Sequence, residues 1–235
     1  MIYEIISIFA KTFKPINNML TTHSKKSELA GLHYCVNHTG KMAGLESLST
    51  SVNANPHCIK RMQNGSSICS HCFSFSMMKQ YKALNECTTK NAEILTSGII
   101  PADQLPLTPT RYFRFESFGD IINANQVINY FNIAKKNPET KFALWTKNPH
   151  IVNKAIEAGH SKPENLQIVL SSPLVNKPIK SVKYGFIDKV FTVYDKAGAT
   201  KVNINCGARS CLGCGLCYRP NPAGVGVVYV NELLK

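Results

Sequence analysis

Four cysteines fall within twelve residues near the C-terminus, Cys206-Gly-Ala-Arg-Ser-Cys211-Leu-Gly-Cys214-Gly-Leu-Cys217, in a C-x4-C-x2-C-x2-C pattern. Gly207, Gly213 and Gly215 lie between them and let the backbone curl until successive Cβ vectors converge. A C-x2-C step is a common chelating bite, and linked steps of this kind occur in the cysteine runs that hold iron–sulfur clusters. Zinc sites also use C-x2-C steps, but more often as two separated pairs than as one run. The spacing therefore predicts a metal centre on Cys206, Cys211, Cys214 and Cys217, either a [4Fe–4S] cluster or zinc.

A looser group lies upstream: Cys58, Cys69 and Cys72, the last two as Cys69-Ser-His-Cys72-Phe73. Three thiolates on a cubane leave one iron open to a substrate or an amino-carboxylate ligand, the geometry that radical S-adenosylmethionine enzymes use. Their usual loop is C-x3-C-x2-C followed by an aromatic residue. Here the second half is present, but Gly65 stands where the first cysteine would be, so Cys58 has to serve from a longer loop. Two alternatives remain open. One is a closed four-ligand site, zinc or cluster, with Cys35, His57 or His71 as the fourth donor. The other is a single site in which Cys69 and Cys72 join the C-terminal run. Cys87 falls inside a helical pattern and reads as a small apolar residue.

The elements that must position these thiols are those of an α/β domain. Strands are predicted at residues 111–117, 141–146, 166–171, 189–194 and 201–205, the last running into Cys206, with helices around 124–136 and 149–158. Strands alternating with helices or short connectors imply a largely parallel sheet. Residues 1–20 have the apolar spacing of a short helix, 21–57 read as an irregular polar segment, and 73–97 as one helix. Prolines 101, 106 and 109 mark a connector. The expected organisation is an N-terminal extension over 1–30 and one α/β domain over 31–235.

In parallel α/β sheets ligands bind at the carboxyl ends of the strands. That rule selects Glu116, Asp120, Lys147 and Asp195 as catalytic candidates. It selects Ser117, Gly119 and Ser171 as contacts to a cofactor or substrate. With the cysteine run, one mouth would gather carboxylates, a lysine, hydroxyls and a metal centre.

Composition sets the outer limits. With 235 residues, 44% of them apolar and 17% charged, the chain suits one substantial globular domain. Nine cysteines, an odd number, argue against a complete disulfide framework. No secretory signal and no span-length apolar stretch is evident, so a reducing cytoplasm and no membrane are expected. The net charge of +13 favours a polyanionic partner, although the basic residues are scattered or paired, as in Lys60-Arg61. This supports a second reading, a zinc-stabilised nucleic-acid-binding module without catalysis, with Tyr112, Phe113, Phe115 and Trp145 as stacking groups.

Six segments also carry a family resemblance: Ser47–Ser51, Ile68–Phe73, Arg114-Phe-Glu-Ser-Phe-Gly-Asp120, Trp145-Thr-Lys-Asn-Pro149, Ile187–Asp195 and Cys206–Tyr218. Over roughly residues 30–235 the chain resembles phage and prophage proteins of the "gene product 88" domain family. More remotely it resembles phage proteins with radical-SAM-like barrels. The resemblance implies an incomplete βα barrel and cysteine-bound iron–sulfur, one [4Fe–4S] cluster or two, in a phage or mobile-element setting. S-adenosylmethionine would be the ligand of an open iron. It assigns no reaction.

Overall fold

A computed structural model describes residues 30–37 and 39–234. The helix predicted over 1–20 and most of the predicted extension lie outside these residues. The described chain forms a seven-stranded sheet of β1 (Tyr34–Val36), β2 (Glu46–Leu48), β3 (Tyr112–Phe115), β4 (Lys141–Thr146), β5 (Leu166–Ser171), β6 (Lys189–Tyr194) and β7 (Val228–Leu233). The strands lie side by side in chain order. β1 runs antiparallel to β2, and every later neighbour is parallel. β1 and β7 do not pair, so the sheet is open.

Seven α-helical segments accompany it: α1 (Pro56–Met62), α2 (Phe73–Gln80), α3 (Lys82–Ser97), α4 (Ala124–Lys136), α5 (Pro149–Glu157), α6 (Lys196–Ala199) and α7 (Cys211–Cys214). Local chemistry sets several starts. Asn55 caps α1 by accepting from His57 N, with Pro56 at the first position, and Asn123 caps α4 by accepting from Gln126 N.

Alternation along β3 decides which face holds what. Phe113 and Phe115 point into the main core with Phe142, Ile168, Val190 and the apolar stripes of α4 and α5. Phe115 is sandwiched by Tyr130 and Phe142, with ring centroids 4.2 and 5.1 Å away. Each such fully buried side chain contributes about 1.5–3 kcal/mol. Tyr112 lies in a second, smaller cluster with Ala143, Val169 and Tyr218, against which Trp145, Phe191, Cys211 and Cys217 pack. Helices thus cover one face, and the C-terminal cysteine segment covers part of the other.

Three expectations need correction. Residues 201–205 are not a strand: Asn205 Nδ2 donates to Tyr229 O (2.9 Å), Asn205 Oδ1 accepts from Asn231 N (2.8 Å), and Asn231 Nδ2 donates to Asn203 O (3.0 Å). Side-chain amides take the place of a backbone ladder there, and the seventh strand is Val228–Leu233 instead. The helix expected over 73–97 breaks at Tyr81, which is extended (φ −116°, ψ 95°) and packs with Phe75 and Met77 against the Met78–Leu84 cluster. Finally, the segment read as irregular before residue 57 contributes β1 and β2, and Cys58 stands on α1 rather than in a loop.

Candidate functional site

A cavity of about 340 Å³ lies on the face of the sheet away from α4 and α5 and reaches the carboxyl ends of the strands. Cys58, Cys69 and Cys72 line it from one segment, and Cys206, Cys211, Cys214 and Cys217 from another. All seven are free thiols. Two cysteine groups more than 130 positions apart in the chain therefore share one cavity.

The C-terminal run is shaped by short-range chemistry. Ser210 caps the turn Cys211–Cys214, and Gly215 ends it at φ 62°, a left-handed conformation that glycine adopts without strain. In a helical turn, residues three apart share a side, as Cys211 and Cys214 do. The Gly215 backbone presses on the Tyr112 ring: an added Cβ would collide with the hydroxyl oxygen and lie 2.8 Å from Cζ. The Tyr218 ring packs against the same ring, tilted by 32° with centroids 5.0 Å apart. Behind the run, the buried ammonium of Lys189 donates to Gln167 Oε1 (3.2 Å), Arg219 O (3.0 Å) and Asn221 Oδ1 (2.5 Å), pinning the chain after Cys217 to the sheet.

Cys206 is set apart by Lys41, whose ammonium donates to its Sγ (3.2 Å), to its carbonyl (2.9 Å) and to Glu232 (2.6 Å). Burial pulls the Lys41 pKa down, but the bonds to Glu232 and Cys206 outweigh it and hold the pKa above its ordinary value. Burial pushes the Cys217 thiol up to about 12, with Cys206 and Cys211 adding to the rise and Arg114 opposing it.

In the upstream group, Ser67 caps the turn that carries Cys69 and also donates to Pro173 O, while Ile68 N donates to the same carbonyl (2.8 Å). The turn is thereby moored to the β5–β6 connection. Burial raises the Cys58 thiol, followed by the nearby Asp120 and Glu116 carboxylates and by Cys72 and Cys69. Among the described residues, no three His, Cys, Asp or Glu side chains converge closely enough to hold a single metal ion.

Arg114 and residues Glu116–Asp120 form a further wall of the cavity. Glu116 adopts φ 59°, uncommon for a residue with a Cβ, and buries its carboxylate among neutral donors. It accepts from Tyr130 OH (2.6 Å), Gln126 Nε2 (2.6 Å), Thr50 Oγ1 (3.0 Å) and Thr50 N (3.2 Å). Burial outweighs these bonds and raises its pKa to about 7. Asp120 accepts from Thr146 Oγ1 (2.6 Å), Lys147 N (2.8 Å) and Ile121 N (2.8 Å), tying the end of β3 to the end of β4. Both carboxylates are 5% exposed or less, so they hold the wall rather than reach into the space.

Of the other residues predicted from strand ends, Ser117, Gly119, Lys147 and Ser171 also line the cavity. Asp195 does not. It accepts from Gly198 N (2.7 Å) and Asn176 Nδ2 (2.8 Å) as the cap of α6. Cys35 is also off the cavity: it is buried on β1 with Val52, Met78, Leu84 and Phe118, and burial raises its thiol to about 12. His57, a proposed fourth donor, accepts from Arg61 Nε (2.7 Å), and His71 is exposed and off the cavity. Tyr112, Phe113 and Phe115 are buried, so they offer no stacking surface to a nucleic acid.

Sequence reasoning missed Lys41, Met42, Phe191 and Glu232 in the lining. Glu232 lies on the strand that was not predicted. Arg114 was foreseeable, since period-2 alternation places it on the face opposite Phe113 and Phe115.

Residues 12–224 match the profile of the family described as Gene product 88. No curated protein and no solved structure matches the chain. Among the described residues, no helix is long and apolar enough to cross a membrane.

Proposed function

This chain belongs to the Gene product 88 family, a phage-type domain family, and we propose that it is an iron–sulfur protein acting on a small molecule held in its cysteine-lined cavity. The observation that carries this reading is the meeting of Cys58, Cys69 and Cys72 with Cys206, Cys211, Cys214 and Cys217 around one space. The four C-terminal thiols would hold one [4Fe–4S] cluster. The upstream three would hold a second and leave one coordination position facing the cavity, since Cys35, His57 and His71 are placed or engaged elsewhere.

The C-terminal cysteines form one continuous C-x4-C-x2-C-x2-C run rather than two separated pairs, and this favours a cluster over zinc. When bound, such centres supply single electrons and, at an open iron, a coordination site. The chain's own part is to shape the cavity, to fix its walls through Glu116 and Asp120, and to place cations beside the thiolates. We read the open sheet, with six parallel strands in chain order and helices on one face, as an incomplete βα barrel whose lumen is this cavity. A radical-SAM-like reaction in the reducing cytoplasm of the host is the activity this architecture suits best.

The test is anaerobic purification and reconstitution with iron and sulfide. The expected product is brown and contains iron and acid-labile sulfide. Cys211→Ala lowers both while sparing the upstream centre, and Cys69→Ala does the reverse. A colourless protein carrying stoichiometric zinc would sink the reading.

A further inference from the structure

Arg114 sits in the middle of β3 on the cavity side, where a cation has few means of being satisfied. Its guanidinium carbon lies 3.9 Å from the Trp145 ring centroid, and one terminal nitrogen approaches Met42 Sδ at 3.5 Å. Its Nε is buried with no hydrogen-bond partner. A planar cation stacked on an indole keeps its forked N–H groups free for an acceptor in the same plane.

The acids of the cavity do not meet this demand. Glu116 is used by Thr50, Gln126 and Tyr130. Asp120 is used by Thr146 and two backbone N–H groups, and Glu232 pairs with Lys41 at 2.6 Å. Arg61 and Lys147 also line the space, and neither they nor Arg114 form an ion pair among the described residues. Nearby, the Ser117 hydroxyl is buried and unpartnered. The surplus of cations and donors is local to this wall.

We propose that the cavity binds its small-molecule ligand through an oxyanion, a carboxylate or phosphate group seated on the Arg114 guanidinium, with Lys147 lending charge nearby. A forked guanidinium matches such groups with two parallel hydrogen bonds. The cavity's volume suits a small ligand. The inference shares its cavity with the iron–sulfur reading but does not require metal.

Trp145 is the single tryptophan of the chain and touches the proposed site, so its fluorescence reports occupancy. The full chain, as isolated and after chelator treatment, is titrated with inorganic phosphate and separately with acetate, against chloride at constant ionic strength. The expected result is a saturable change with at least one of the two, and which one acts tells phosphate from carboxylate. Arg114→Gln weakens it at least about tenfold, and Arg114→Lys weakens it less, because charge remains but the fork is lost. Circular dichroism confirms that each variant is folded. If Arg114→Gln does not fold, the comparison rests on Arg114→Lys and Lys147→Gln. A response no larger than that of chloride, or variants that bind as wild type does, overturns the proposal and leaves Arg114 as a counter-charge to the thiolates. Iron and sulfide are assayed on the same preparations, so either reading can fail alone.

Discussion

The ammonium of Lys41 stands 3.2 Å from Sγ of Cys206, joining residues 165 positions apart and pairing at the same time with Glu232 on β7. One cation thereby fixes the first cysteine of the C-terminal run to the last strand of the sheet. Hydrogen bonds to ligating sulfur and local net charge both set the potential of an iron–sulfur centre. Lys41→Met is expected to lower the midpoint potential of the C-terminal cluster by tens of millivolts, measured by redox titration followed by electron paramagnetic resonance. An unchanged potential with full iron content would show that the contact serves only to hold the strand.

Gly119 tests the packing of the wall. A Cβ there would stand 2.7 Å from Glu116 Oε2 and 2.9 Å from Thr50 Oγ1, and would overlap the Thr50 carbonyl. Because a backbone oxygen is among the obstacles, side-chain rotation cannot relieve the clash. Gly119→Ala should cost about 1–3 kcal/mol or more in urea unfolding. A loss below half a kilocalorie would mean that the loop after β3 moves freely.

Glu116 makes stability depend on pH. Its pKa rises from an ordinary 4.5 to about 7 in the folded protein. The folded state therefore binds the proton more tightly than the unfolded state. The stabilisation, about 3 kcal/mol, is complete below pH 4.5 and is lost as pH rises to about 7. Wild type should lose stability across this window relative to Glu116→Gln, which has no proton to lose there. Denaturant midpoints at pH 5 and pH 8 check this, and parallel pH profiles would refute it.

Asp195 provides the contrast. As the cap of α6 and outside the cavity lining, it should be dispensable for site chemistry. Asp195→Ala is expected to lower thermal stability slightly and to leave iron content and phosphate response unchanged. Loss of either would restore Asp195 to the site.

Gly215→Ala probes the seat of the cysteine run. The new methyl would meet the Tyr112 ring at a residue whose φ is 62°. Two penalties coincide there, left-handed strain and steric overlap. Expected outcomes are lower stability and poorer iron retention at the C-terminal centre, read by iron assay beside Gly213→Ala, where a Cβ meets nothing closer than 3.9 Å.

The sequence by itself determined the local events. Cysteine spacing with intervening glycines marked the tight turn, apolar alternation marked strands β3 to β6, and helical periodicity marked α4 and α5. It also placed Glu116, Ser117, Gly119, Asp120, Lys147 and Ser171 around one opening, because strand ends in a parallel sheet share an edge, but by the same rule it placed Asp195 there, which the fold uses as the cap of α6. Only the tertiary structure decided which cysteines meet. Cys35 and Cys58 are alike on paper, yet one is sealed in an apolar cluster and the other faces the cavity. The tertiary structure also turned Glu116 and Asp120 into wall supports, since their donors come from Thr50, Gln126, Tyr130 and Thr146, residues that no local pattern ties to them. β7 was hidden because four of its six residues are polar or exposed, and its pairing with β6 supplies what propensity does not. Short-range sterics and periodicity can be read along a chain, whereas burial and charge pairing depend on which distant segments pack together.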